Sequence, residues 1–170
     1  MSELFIRIFL IVMPLYVTNA SALFFGGTTP LDFNKKFFDG KPLLGKGKTI
    51  EGAIGGITAG TLATAIIQIA LRENTAIVSG QYLFVGILLA VGAIAGDAAA
   101  SFFKRRLGKN RGEAVPLLDQ LDFVFGGLVF ASPLFLLSLE ELLIIVALTV
   151  TIHAATNYIA FKLRLKNVPW

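Results

Sequence analysis

Long uncharged runs alternate with short charged ones along this chain. Residues Ile8 to Leu31, Gly52 to Leu71, Asn74 to Gly96, Phe123 to Leu139 and Leu142 to Phe161 contain no Asp, Glu, Lys or Arg. A helix needs roughly 20 predominantly apolar residues to cross the hydrocarbon core of a bilayer. The five runs therefore predict five transmembrane helices, over about 4–25, 50–71, 77–103, 119–139 and 142–161. They are apolar on every face, whereas strands of a membrane barrel alternate apolar and polar positions. The first run is long and begins with acidic Glu3 beside Arg7, so it reads as a span and not as a cleaved signal. The expected fold is an all-α integral membrane protein, one domain over residues 1–170. Gly52, Gly56 and Gly60, and again Gly92, Gly96 and Ala100, recur every four residues. Such small-residue ridges let helix backbones approach closely in lipid.

Composition agrees and charge adds direction. The 170 residues are 55% hydrophobic and 15% charged. That excludes an ordinary soluble domain, in which about 25% of residues are charged, and excludes disorder, which needs low hydrophobicity. A net charge of +4 can signal nucleic acid, but beside five apolar runs the partner it indicates is the bilayer, with no nucleic acid. Of the 15 Lys and Arg, all but Arg7 and Arg72 fall on one side of a five-span topology. Lys35, Lys36, Lys41, Lys46 and Lys48 follow the first span. Lys104, Arg105, Arg106, Lys109 and Arg111 follow the third, and Lys162, Arg164 and Lys166 follow the fifth. Positive residues stay cytoplasmic, so the N-terminus is expected outside and the C-terminus in the cytosol. Two cytosolic loops would carry the function at the cell membrane. The outward connections, at Arg72–Glu73 and Glu140–Glu141, are expected to be short hairpins.

Chemistry is expected where charge enters the apolar runs. Asp97 closes the third run and is followed by three alanines, while Asp119 and Asp122 open the fourth. Three residues apart on a helix, the latter two project from nearly the same face. All three stand at the cytosolic level. An acidic residue in a membrane segment is costly and functional by default, although Asp119 alone is also explained as a helix-start residue favoured by the dipole. With no cysteine and a single histidine, the donor set is oxygen only, which suits a hard cation, Mg²⁺ most naturally.

The basic loop supplies the complement. Gly45-Lys46-Gly47-Lys48-Thr49 runs straight into the second span. Backbone N–H groups at a helix start, with two lysines among glycines, suit a polyphosphate. The stretch is not a Walker A loop, because Pro42 stands where that motif's first glycine belongs. Mg²⁺ ligands beside a phosphate cradle point to phosphoryl or nucleotidyl transfer at the membrane surface. A phosphomonoester acceptor is already anionic, so no general base is required. His153 lies about 12 Å of helix rise from the cytosolic mouth and is expected to make an interhelical hydrogen bond.

Ser101-Phe-Phe-Lys104-Arg105, then Pro116, then Asp119-Gln-Leu-Asp122 resembles the signature of the CTP-dependent phosphatidate cytidylyltransferases, the CDP-diacylglycerol synthases. The stretch Gly45 to Gly52 is similar to that of the short archaeal branch, the CDP-archaeol synthases. The bacterial pattern carries a His-Gly-Gly before the first aspartate and an arginine where Gln120 stands, and Lys109 is displaced by one position from the family's lysine. These departures favour the archaeal branch.

The resemblance implies that a lipid phosphate attacks the α-phosphorus of CTP, releasing pyrophosphate and a CDP-lipid. In the archaeal branch the lipid is unsaturated archaetidic acid, 2,3-di-O-geranylgeranylglycerol 1-phosphate. By the same resemblance Asp97, Asp119 and Asp122 would hold Mg²⁺ against the triphosphate, and Lys104 and Arg105 would neutralise the lipid phosphate or the leaving pyrophosphate. Lys46, Lys48 and Thr49 would cradle the phosphates, with Asn19 and Gly96 as further nucleotide contacts. The isoprenoid chains would lie in a groove between helices. Oligomeric state stays open.

Two other classes are weighed. A small transporter or channel predicts carboxylates near the midplane within repeated halves, but here they cluster at one surface and no repeat is visible. A CDP-alcohol phosphotransferase needs an Asp-Gly-x-x-Ala-Arg segment, which is absent.

Overall fold

A computed structural model describes residues 3–110, 113–162 and 164; Arg111 and Lys166, counted above toward orientation, lie outside the described residues. The described chain is helical, with no strand and only two isolated bridges, Pro30 to Thr49 and Lys36 to Pro42. The helices are α1 Glu3–Phe24, α2 Ile50–Ala70, α3 Arg72–Thr75, α4 Tyr82–Arg106, α5 Leu118–Ala131 and α6 Leu139–Lys162. Among the described residues four helices, α1, α2, α4 and α6, are long and apolar enough to cross a membrane.

The fourth expected span differs from the expectation over 119–139. Helix α5 has 14 residues, about 21 Å of rise, and stops two residues before Pro133, whose ring and missing N–H do not continue a helix. Residues 132–138 run on without helix to Ser138. There Ser138 N–H donates to Glu141 at 2.7 Å and Glu141 N–H donates back to the Ser138 hydroxyl at 3.1 Å. This reciprocal capping box starts α6. Neither connection at this end is a bare hairpin. The first contains α3, and Glu140 and Glu141 belong to the first turn of α6. Arg7 closes the same end, pairing with Glu141 at 2.7 Å and donating to the carbonyls of Ile77 and Leu136. It thus satisfies backbone acceptors in both connections, which in an apolar medium would cost several kcal/mol each if left alone.

The glycine ridges do what lipid packing asks of them. A Cβ on Gly52 would meet the Ala22 carbonyl at 2.7 Å, one on Gly56 the Thr18 carbonyl at 2.9 Å, and one on Gly60 would collide with the Thr18 hydroxyl. That face of α2 therefore lies directly on α1. Gly92 and Gly96 of α4 face Gly126 of α5 in the same manner. Inside α1, Pro14 cannot donate to the Leu10 carbonyl, and the buried Tyr82 hydroxyl fills the gap at 2.8 Å. The apolar core gathers on this frame, around Leu10, Leu15, Leu89 and Phe123. Helix α6 packs more sparsely, against α5 and α1; His153 brings its ring 5.8 Å from that of Phe123.

Candidate active site

The basic end of the bundle is built on Asp32. Its carboxylate is 5% exposed and accepts the N–H groups of Asn34 at 3.0 Å, Leu44 at 2.8 Å and Gly45 at 2.9 Å. The first bond is an Asx turn; the other two fold the far arm of the loop back onto its beginning. Burial works to raise the Asp32 pKa, but the backbone donors of Gly45, Leu44 and Asn34 outweigh it and hold the carboxyl below its usual range. The loop then turns through Gly45 at φ +90, a conformation that suits glycine, and reaches Lys46, Gly47 and Lys48.

Asp32 was missing from the candidates read from sequence. Its signal was there: an Asp two residues before Asn is a turn-former inside a loop otherwise rich in lysine.

A depressed carboxylate contributes order that is complete above its unfolded pKa and lost as pH falls through the lower folded value. Amide exchange at Leu44 and Gly45 should therefore stay protected at neutral pH and lose protection only well into the acid range. In Asp32→Ala the oxygen that accepts both Leu44 and Gly45 N–H is gone, so these amides should exchange fast at every pH. The concentration of nucleotide needed for half-saturation should rise about tenfold. Wild-type protection in that variant would show that the loop holds its shape by other means.

Thr49 is the N-cap of α2. Its hydroxyl oxygen accepts from Gly52 and Gly27, both at 3.2 Å. Ile50 N–H is taken by the Thr29 carbonyl at 2.9 Å, and Ala53 N–H by the Thr49 carbonyl at 3.0 Å. The start of α2 is thus largely spent on its own loop. This corrects the expectation of a free amide cradle there: the charge offered to an anion comes from lysine side chains.

Lys48 pairs with Asp97 at 2.5 Å. Lys104 holds both oxygens of Asp119, at 2.9 and 2.8 Å, and Val115 N–H adds a third bond to that carboxylate at 2.9 Å. The carboxylates therefore divide. Asp122 lies within electrostatic reach of all three of its neighbours Asp97, Lys48 and Asp119, with Asp97 the strongest. Among the described residues no three acidic or histidine side chains stand close enough to close around one ion. Of the three aspartates expected to hold Mg²⁺, Asp97 is turned to Lys48 and Asp119 to Lys104, and Asp97 with Asp122 makes a candidate pair. Such a pair still fits Mg²⁺, which commonly takes one or two carboxylates and completes its shell with water and substrate phosphate.

Gly96 explains the pairing. A Cβ there would collide with the Asp122 carbonyl and stand 2.9 Å from the Gly126 Cα, so only glycine lets α5 bring Asp122 beside Asp97. Its place is at a helix crossing.

Three recesses open around these residues. A narrow one of ≈ 210 Å³ reaches from Gly47, Lys48 and Thr49 past Asp97 to Asn19. A wider one of ≈ 540 Å³ opens beside it, shares Gly47 and Lys48, and is ringed by Lys36, Lys46, Lys104 and Arg105. A third, of ≈ 760 Å³, is an apolar groove between α4 and α5 walled by Phe103, Leu121, Phe125 and Phe130, and among the described residues Asp122 is the one charged residue on its lining. Lys48 and Asp97 thus border the polar recesses, while Asp122 borders the apolar one.

A family model described as CarS-like, CDP-archaeol synthase, matches residues 1–170. The chain belongs to the CDP-archaeol synthase family. It is 45% identical over 165 residues to the CDP-archaeol synthase of Methanocaldococcus jannaschii, covering 94% of this chain and 93% of that one. With the enzyme of the same name from Sulfolobus acidocaldarius it shares 38% over 159 residues, 93% of each chain. A solved structure described as an intramembrane enzyme for archaeal membrane lipids biosynthesis superposes with a TM-score of 0.80 at 35% identity, over 88% of this chain and 91% of that one. In this CDP-archaeol synthase family member, as in that neighbour, the fold is a multi-pass helical membrane protein.

Proposed function

We propose that this protein transfers a cytidylyl group from CTP to an isoprenoid ether-lipid phosphate, 2,3-di-O-geranylgeranylglycerol 1-phosphate, forming CDP-archaeol and pyrophosphate. The observation that carries this reading is that the end of α4 borders both a cationic recess, through Lys104 and Arg105, and an apolar groove, through Ala100 and Phe103. The family match supports it, and a transporter or channel finds no support in either.

The lipid's two chains lie in the α4–α5 groove, with the phosphate beside Asp122 and within reach of Lys104 and Arg105. The triphosphate occupies the wider recess against Lys46 and Lys48, and Asn19 contacts the rest of the nucleotide in the narrow one. A lipid phosphate oxygen attacks the α-phosphorus of CTP; that P–O bond forms as the bond to the β-phosphate breaks, and pyrophosphate leaves. The attacking oxygen is already anionic, so no side chain has to remove a proton. Lysine and arginine bring two anions together and accept the charge gathering on the leaving group. Mg²⁺, held by Asp97 and Asp122, would supply charge neutralisation at the phosphates. Asp119 keeps the Lys104 ammonium in place.

The bundle lies in the cell membrane with its N-terminus outside and the basic end in the cytosol, in accord with its Lys and Arg. Five crossings result, the fourth made by α5 with residues 132–138 completing it.

The test is a detergent assay of purified protein with CTP, Mg²⁺ and candidate lipid phosphates, read as pyrophosphate release and CDP-lipid formation. Turnover with the geranylgeranyl ether phosphate, and slower turnover with a diacyl phosphate, is the expected result. Consumption of no lipid phosphate would refute the reading.

A further inference from the structure

The loop after α1 carries a second feature that the site does not use. Its tip, residues 36–42, is a tight hairpin: Phe37 N–H donates to the Lys41 carbonyl and Gly40 N–H to the Phe37 carbonyl, both at 2.9 Å. Arg106 at the end of α4 fastens it. That guanidinium stacks 5.0 Å from the Phe37 ring centre and 4.5 Å from that of Phe102, pairs with Asp39 at 2.9 Å, and donates to the Pro42 carbonyl at 2.5 Å. Lys41 Nζ returns a bond to the Arg106 carbonyl at 3.0 Å. So the tip is held in a defined place.

Yet the residue at its apex, Phe38, is 100% exposed. Leaving a phenyl ring in water forfeits the gain of burying it, an odd outcome for a hairpin fastened at so many points. The rings around it give the direction. Phe38 touches Phe37 at 5.1 Å, Phe37 touches Phe102 at 5.2 Å, and Phe102 touches Phe103 at 5.7 Å. Phe103 is itself exposed and walls the apolar α4–α5 groove. The row thus begins on the apolar flank of a membrane-crossing helix and ends on Phe38, with Lys35 and Lys41 exposed beside it. An aromatic tip flanked by lysines is the chemistry of a membrane-surface contact, with apolar area entering the headgroup–acyl boundary and cations staying among phosphates.

We infer that residues 36–42 form an interfacial anchor, with Phe38 inserted into the leaflet on the basic side of the bundle. The partner is the lipid surface itself. The anchor sets the height of the Lys46–Lys48 segment, which begins four residues past its end on the same loop, relative to the lipid phosphates. It requires only that the bundle sit in a bilayer and does not depend on the reaction proposed above.

The test uses the full chain in lipid nanodiscs. The one tryptophan, Trp170, is replaced in Trp170→Phe, and Phe38→Trp then supplies the sole reporter at a position with nothing packed over it. In discs of phosphatidylcholine and phosphatidylglycerol, Trp emission should be blue-shifted and shielded from iodide. It should lose most of its intensity when the lipids carry bromine near the glycerol end of the acyl chain. Emission untouched by brominated lipid and freely quenched by iodide would overturn the anchor. So would shielding that brominated lipid does not affect and that fades on dilution, since that pattern marks contact with a second copy or another protein.

Discussion

Asp97→Asn and Asp122→Asn should each lower Mg²⁺-dependent incorporation of CTP label into lipid by at least about 100-fold, with the protein still folded. Asp97, paired with Lys48, lines the narrow polar recess, and Asp122 lines the apolar groove. Asparagine keeps the shape and removes the charge that a hard cation requires. Asp119→Asn should behave differently. Its carboxylate binds both Lys104 and Val115 N–H, so its loss frees Lys104 and slows the reaction without shifting the Mg²⁺ concentration at half-maximal rate. Titrating Mg²⁺ against rate in the three variants, alongside thermal unfolding in detergent, separates these roles. Full activity in Asp97→Asn or Asp122→Asn would remove the metal assignment, and an identical Mg²⁺ shift in all three would restore a three-carboxylate site.

Gly96→Val should be nearly as damaging, through the backbone rather than through a charged group. The added atoms would run into the backbone of α5 at Asp122 and Gly126, and backbone cannot rotate away as a side chain can. Overpacking a filled contact costs about 1–3 kcal/mol, and relief here comes only by separating α4 from α5. That separation moves Asp122 away from Asp97, and a misplacement of about 1 Å can cost about 100-fold in rate. Activity should therefore fall far more than the unfolding temperature does, and Gly96→Ala should show a smaller version of both effects. A Gly96→Val protein with unchanged activity would place the α4–α5 crossing outside catalysis.

Most of the frame was legible because lipid leaves few options. Uninterrupted apolar runs must be helices with their backbone bonded internally, and glycines spaced by four mark where two of them touch. Gly52, Gly56 and Gly60 did prove to lie on α1, and Gly92 and Gly96 on α5. The extent of α5 was not legible. An apolar run through Pro133 reads as one span, and only the break before it shows that helix and connection share the distance. The opposite end was equally hidden, since nothing in Arg7 alone announces that it serves Glu141, Ile77 and Leu136 at once.

The order of residues along the chain singles out the charges at stake. In a chain this apolar, Asp97, Asp119, Asp122 and the Gly45–Thr49 loop stand out because each is expensive where it lies, and expense is readable from composition and position. Only the tertiary structure decided how these groups are shared. Lys104 claims Asp119, Lys48 claims Asp97, Thr49 caps α2 and Asp32 holds the loop. Sequence spacing places groups along one helix, whereas which carboxylate meets which cation depends on how closely two helices cross. At Gly96 that distance is set by the absence of a single carbon atom.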